Sequence, residues 1–224
     1  MTAHTHARLA LLNPATKREY NRRLFQDVAP RYNLITRLLS FGRDAAWKRW
    51  MIEHLPVHIT SAMDLACGTG DITRALSVRH PDAAIVGLDL TPEMLEIAKR
   101  QSPEKIRYLL GDMTNTGSRN ASYDLVTGGY ALRNAPDLES ALQETVRILH
   151  PGGTAAFLDF SAPENRWLRK IHYLLLLVWG AFWGLILHGN PRIYAYIARS
   201  LERFPNRASF FNLLESAGLV VIES

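Results

Sequence analysis

The sequence predicts an α/β fold, a doubly wound and mostly parallel sheet with helices on both faces. Three observations carry this. Short apolar segments alternate with amphipathic helical ones between Ser61 and Phe160. A glycine loop, Ala66-Cys67-Gly68-Thr69-Gly70, follows the first of those segments directly. Aspartates close the second and third segments, as Asp89 and Asp112. The arrangement is Rossmann-like, with ligand-bearing loops expected at the carboxyl ends of the strands.

Residues 1–14 read as a flexible N-terminus. The apolar run Leu9–Leu12 is too short for the core of a secretory signal, so a cytoplasmic protein is expected. Residues 15–57 read as helices. Leu24, Phe25 and Val28 recur at helical spacing, and Pro30 interrupts them. Tyr32, Ile35, Leu38 and Leu39 resume the pattern, and Ser40-Phe41-Gly42 stops it. Trp47, Trp50, Met51 and Leu55 make the apolar stripe of a further helix, ended by Pro56.

Strands are expected at 62–66, 84–88, 106–110, 123–127 and 154–160. Helices are expected at 71–79, from Thr91-Pro92-Glu93 onward, and at 138–149. Thr91 is placed as an N-cap with proline at the first helical position. His150-Pro151-Gly152-Gly153 closes the last of these helices. Residues 171–187 are almost uninterrupted apolar, at or below the length of about 20 that a spanning helix needs. Amphipathic helix follows over 191–217, broken at Arg203-Phe204-Pro205, and Leu219–Ile222 reads as a last strand.

The chain has 224 residues, 47% of them hydrophobic and 21% charged, which suits one large core without long disorder. The single cysteine, Cys67, allows no internal disulfide and no cysteine zinc site; it reads as a small packing residue. Net charge is +5, and the excess is uneven. Residues 1–50 hold ten Lys/Arg against three Asp/Glu, and residues 166–207 hold seven against Glu202 alone. Such an excess suits nucleic acid, an anionic membrane or merely solvated faces. No pocket motif for a flipped base is present, so nucleic acid is not expected.

Glycines after a strand let a ligand approach the backbone, and the following helix offers free N–H groups. Asp89, 19 residues after Gly70, can accept both hydroxyls of a ribose. Nicotinamide cofactors want a third glycine where Thr73 stands, and a site without the anion Asp71. S-adenosylmethionine instead carries a sulfonium and an ammonium, which Asp64 and Asp71 suit. Asp112 can accept an adenine amino group while Met113 covers the ring.

At this point the chain resembles the ubiquinone/menaquinone biosynthesis C-methyltransferases, over about residues 20–218. The resemblance is carried by Phe25-Gln26-Asp27-Val28-Ala29-Pro30-Arg31-Tyr32, Leu38–Gly42 with Trp47, and Gly68-Thr69-Gly70-Asp71. It continues in Gly87-Leu88-Asp89 with Met94-Leu95, Ala131-Leu132-Arg133-Asn134, Leu149–Gly153, Asp159-Phe160-Ser161 and Arg203-Phe204-Pro205. It implies one methyltransferase domain over 15–224, with helices at 15–57, a cofactor core at 61–160 and an apolar helical cap at 164–205. It implies S-adenosylmethionine as cofactor, held by Asp64, Ala66, Gly68, Thr69, Gly70, Asp89, Leu90, Asp112, Met113 and Gly129. Arg133, Tyr32 and Asn134 would face a lipophilic quinol, whose ring carbon is methylated after loss of a phenol proton. Arg133 would stabilise the phenolate or orient a water, because arginine itself stays protonated.

Several positions depart from the family pattern: Asn33, Thr36, Gly129 and Ala162 replace its Asp, Asn, Ser and Lys. The final hairpin of the family's sheet is missing, so the sheet lacks a strand, is completed by another chain, or the sequence is truncated. An exposed edge invites a homo-oligomer or a partner chain. The run 171–187, with Trp179 and Trp183 and flanking arginines over 166–192, suits membrane-surface contact as well as a buried cap helix. A methyltransferase acting on another lipophilic phenol or a secondary metabolite, and a non-catalytic scaffold homologue, are the rival readings.

Overall fold

The computed structural model describes residues 13–161 and 163–223. Most of the flexible segment expected over 1–14, and Ala162, lie outside the described residues. The chain forms two compact units: Asn21–Asp159, and Phe160 onward together with the start of the first helix.

The Asn21–Asp159 unit is organised around five parallel strands: β1 Ser61–Leu65, β2 Ala84–Asp89, β3 Arg107–Leu110, β4 Tyr123–Gly129 and β5 Leu149–Leu158. Their order is β3-β2-β1-β4-β5, which confirms the doubly wound parallel sheet. Helix α1 spans Pro14–Val28, and Pro30 sits in a 3-10 turn, Ala29–Arg31. Helices α2 Tyr32–Leu39 and α3 Asp44–Glu53 follow. The crossovers are α4 Asp71–Arg79, α5 Pro92–Gln101 and α6 Leu138–Ile148.

Met51, Ile52 and Leu55 bury with Ile72, Leu76, Ile85 and Leu125 in one cluster. Trp50, expected in that stripe, is half exposed and stacks on His54 at 4.2 Å instead. On β2, Gly87 leaves room for the Tyr108 ring, and Cys67 packs on the same cluster as Leu95, Ala98 and Tyr108. That is the packing role expected of Cys67.

The helix start expected at Thr91-Pro92 is found, with Thr91 at the N-cap position of α5 but without a side-chain cap bond. Pro92 and the Asp89 carboxylate, which accepts the Thr91 N–H at 2.8 Å, organise that turn. Two other expectations about elements need correction. The motif His150–Gly153 does not separate helix from strand. β5 begins at once at Leu149, and its pairing jumps from Tyr123↔Leu149 to Leu125↔Thr154 across a bulge. Proline has no N–H to give to a ladder, and Gly152 takes φ +80°. Leu219–Ile222 forms no strand: Val220 and Ile222 are exposed, because an apolar run becomes a strand only where a neighbour supplies ladder partners.

The second unit is helical: α7 Arg166–His188, α8 Ala195–Arg203 and α9 Arg207–Ser216. Asn165 caps α7 by accepting from the N–H groups of Trp167 and Leu168. Gly180 and Gly184 are the buried residues of α7; a Cβ there would come within 3 Å of the carbonyl oxygens of Tyr194 and Asn190. His188 Nε2 lies 2.7 Å from the Tyr194 hydroxyl, closing the hairpin. α7 is long and apolar enough to cross a membrane by length and composition, yet it is mostly exposed.

A Cβ at position 87 would lie 2.7 Å from the Tyr108 ring and 3.0 Å from Cys67 Sγ. Gly87→Ala is therefore expected to destabilise the protein by about 1–3 kcal/mol, read as a lower midpoint in urea.

Candidate active site

The strand order reverses between β1 and β4, and the site lies at the carboxyl ends there. The loop after β1 puts Ala66, Gly68 and Gly70 at φ +49°, +54° and +81°. Ala66 is a non-glycine residue in the left-handed region, a cost of order 1–3 kcal/mol that the surroundings must hold. Asp89 holds them: its Oδ2 accepts the Gly68 N–H at 2.8 Å while Oδ1 accepts that of Thr91. Burial pushes the Asp89 carboxyl up, and these two N–H groups pull it back. Each carboxylate oxygen has a second lone pair, so acceptor capacity remains for a ligand.

Two clefts open on this loop. The larger has a cavity volume of about 70 Å³ and is walled by Asn21, Phe25, Asp89, Leu90, Asp112 and Met113, among others. The smaller is lined by Lys48, Asp64, Thr69 and Asp71. Tyr32, Ala66, Gly68, Gly129 and Tyr130 border both, so the two are ends of one groove.

At the smaller end Asp64 is fully buried. Its Oδ2 accepts from the Thr73 hydroxyl at 2.7 Å and its Oδ1 from the Thr127 hydroxyl at 2.9 Å. Thr73, where a nicotinamide loop would have its third glycine, thus positions an acid. Burial pushes Asp64 up to about 6, against the pull of both hydroxyls and Lys48. Asp71, expected beside a ligand cation, is instead tied to Lys48 at 3.2 Å and Arg74 at 2.5 Å. Thr69 donates to Asn33 Oδ1 at 2.7 Å, so the departure to Asn33 still supplies an acceptor. Thr36, the other departure on α2, bonds back to the Tyr32 carbonyl.

At the larger end Asp112 Oδ1 accepts from the Thr114 N–H and hydroxyl, holding a turn that brings Met113 to the wall. Asn134 lies in a 3-10 turn, Leu132–Asn134, after Tyr130, which is held at φ +57°. Its Nδ2 donates to the Tyr130 carbonyl, and Asn21 Nδ2 donates to the Asn134 carbonyl at 2.6 Å. That leaves Asn21 Oδ1 and Asn134 Oδ1 buried without a hydrogen-bond partner, an arrangement that costs free energy until a donor arrives.

Two expected site residues lie off the groove. Gly70 turns the chain into α4 and is not in the wall; the Tyr108 hydroxyl fills the space where its side chain would be. Arg133 is buried, and its Nε and backbone N–H donate to the two oxygens of Asp159 at 3.2 and 3.0 Å. Asn21, Arg22, Phe25, Lys48 and Tyr130 line the groove and were not anticipated as site residues. Of these, Phe25 stands inside a family motif, Tyr130 next to Ala131–Asn134 and Lys48 next to Trp47; Asn21 and Arg22 carried no signal in the sequence.

Asp64, Asp89 and Asp112 line the groove with Arg22, while Asp71 is balanced there by Lys48 and Arg74. That balance suits a cationic ligand with ribose hydroxyls and opposes a pyrophosphate, so the donor set fits S-adenosylmethionine. Comparison with known proteins agrees. A demethylmenaquinone methyltransferase of Thermus thermophilus is 35% identical over 205 residues, covering 88% of this chain and 92% of that protein. A 2-phytyl-1,4-naphtoquinone methyltransferase of Thermosynechococcus vestitus is 35% identical, covering 87% and 88%. A putative methyltransferase of Haloferax volcanii, solved with its Trm112 activator, shares the fold at TM-score 0.64 and 23% identity, covering 89% and 77%.

The protein is a class I S-adenosylmethionine-dependent methyltransferase. More narrowly, the chain belongs to the ubiE/COQ5 methyltransferase family, whose model matches residues 14–224.

The Asp64 shift has opposite consequences for folding and for binding. Folding raises its pKa from about 3.9 to about 6, so its contribution favours the folded state most below pH 4 and is lost as pH rises through 6. A cationic ligand favours the ionised form. Affinity for S-adenosylmethionine is therefore expected to weaken as pH falls below about 6, with proton release on binding near that pH. Titration calorimetry in buffers of different ionisation enthalpy measures this, and Asp64→Asn should abolish the proton release.

Proposed function

We propose that this enzyme is a cytoplasmic C-methyltransferase that transfers the methyl group of S-adenosylmethionine to a ring carbon of a prenylated quinol, demethylmenaquinol or a close relative. The observation that carries the acceptor is the pair of buried, unpartnered carboxamide oxygens of Asn21 and Asn134 in the larger cleft. They are acceptors, and a hydroquinone offers hydroxyl donors where the oxidised quinone offers none. The names of both relatives, which point to naphthoquinone rings, support the same acceptor.

In this reading Asp89 would take the ribose hydroxyls of the cofactor. Leu90, Asp112 and Met113 would receive its adenine, and Asp64, Ala66, Gly68, Thr69 and Gly129 its amino-acid end. When bound, S-adenosylmethionine supplies an electrophilic methyl group. The chain's own residues then orient the ring and manage one proton. Tyr32 lies where the two ends of the groove meet, and burial pushes its phenol above the usual value despite Lys48. Tyr130 is shifted the same way by burial and Asp44, to which its hydroxyl donates. Both stay protonated at neutral pH and act as donors, so the substrate proton leaves to a carboxylate or to water. Arg133 is a positioning residue: through Asp159 it holds the turn that presents Asn134.

Purified protein given S-adenosylmethionine and a short-chain demethylmenaquinol under reducing conditions should form the methylated ring, detected by mass. Cofactor binding with no product from any of several quinols would refute the acceptor. Asn134→Leu and Asn21→Leu should each raise KM for the quinol about tenfold, the worth of one hydrogen bond, while leaving cofactor affinity near wild type. Arg133→Ala breaks a buried ion pair, so it should lower thermal stability together with turnover, by about 3–5 kcal/mol.

A further inference from the structure

At 3.6 residues per turn, Trp167, Ile171, Leu174, Val178, Phe182 and Leu185 fall in one stripe along α7, and each is exposed. The stripe runs for roughly 27 Å. Gly180 and Gly184 lie on the opposite side, packed on the Asn190–Tyr194 turn. No Asp or Glu occurs between Glu164 and Glu202, whereas Arg166, Arg169, Lys170, Arg192 and Arg199 do. Arg169, Lys170 and His172 also rim a cavity of about 360 Å³, floored by Leu174, Leu201 and Phe204, with Glu202 the acid in its lining. Leu174 belongs to both stripe and cavity, so the two are continuous.

We propose that this face docks flat on an anionic phospholipid bilayer, with the stripe among the acyl chains and a lipid phosphate at the basic rim. Charge selects this occupant. A second copy placed symmetrically would set five cations, with Glu202 as the acid in the cavity lining, against the same set. A neutral apolar partner would leave those cations unmatched. Lying in the interface fits better than spanning, because the glycine side of α7 is packed on a polar turn whose Asn190 and Arg192 are exposed and would be drawn into hydrocarbon. The inference is independent of the methyl acceptor.

The test is sedimentation of the full chain with vesicles of phosphatidylcholine alone, or of phosphatidylcholine mixed with phosphatidylglycerol. Binding should favour the mixed vesicles and weaken in high salt. Arg169→Gln with Lys170→Gln should reduce binding to the mixed vesicles about 25-fold, at about fivefold per cation. Val178→Glu with Phe182→Glu should abolish binding to both compositions. Both pairs lie on exposed positions, and unchanged thermal midpoints and S-adenosylmethionine affinity would establish that they fold. Equal binding to both vesicle types, or wild-type binding by either variant, would overturn the proposal. So would a dimer in light scattering that Val178→Glu dissociates, with no vesicle binding by wild type.

Discussion

The Asp89 carboxylate joins the two loops on which the groove depends. One oxygen holds the glycine loop after β1 through Gly68, and the other holds the start of α5 through Thr91. These loops come from neighbouring parallel strands; the Cys67 N–H still reaches the Leu88 carbonyl, and beyond it Asp89 takes over. Fixing both with one buried acid places backbone N–H groups, a carboxylate and Leu90 around the same space. The burial that makes the acid costly is offset by the two N–H donors it satisfies, so the loop conformation and the anion stabilise each other.

The same economy recurs at the other end of the groove. Asp64 is buried between two threonine hydroxyls, which keep it in place without neutralising it. Asp71, at the start of α4, has Lys48 and Arg74 beside it and carries little net field into the groove. Two acids that look equivalent along the chain therefore differ in surroundings, hydroxyl donors for Asp64 and paired cations for Asp71.

Structure and chemistry meet again in the turn after β4. Tyr130 is held in the left-handed region, its hydroxyl anchored on Asp44, and Arg133 is locked to Asp159. The strained turn is over-determined by these ties, which is what allows Asn134 and Asn21 to keep unpaired acceptors in a buried place.

Much of this was legible in the sequence. Alternation of apolar and amphipathic segments determined the parallel sheet, because side-chain periodicity is a local property. The spacing of Gly68, Asp89 and Asp112 pointed to the groove, because each lies at or just after the carboxyl end of a parallel strand. Partners were not legible. Leu219–Ile222 has strand composition yet no strand, and nothing along the chain announces that Arg133 Nε donates to Asp159. Asn21 sits in a basic helix without any pattern, and only folding brings it to Asn134, more than a hundred residues away. Tertiary structure decided these, because hydrogen-bond and ion-pair partners are set by distance in space and leave no period along the chain.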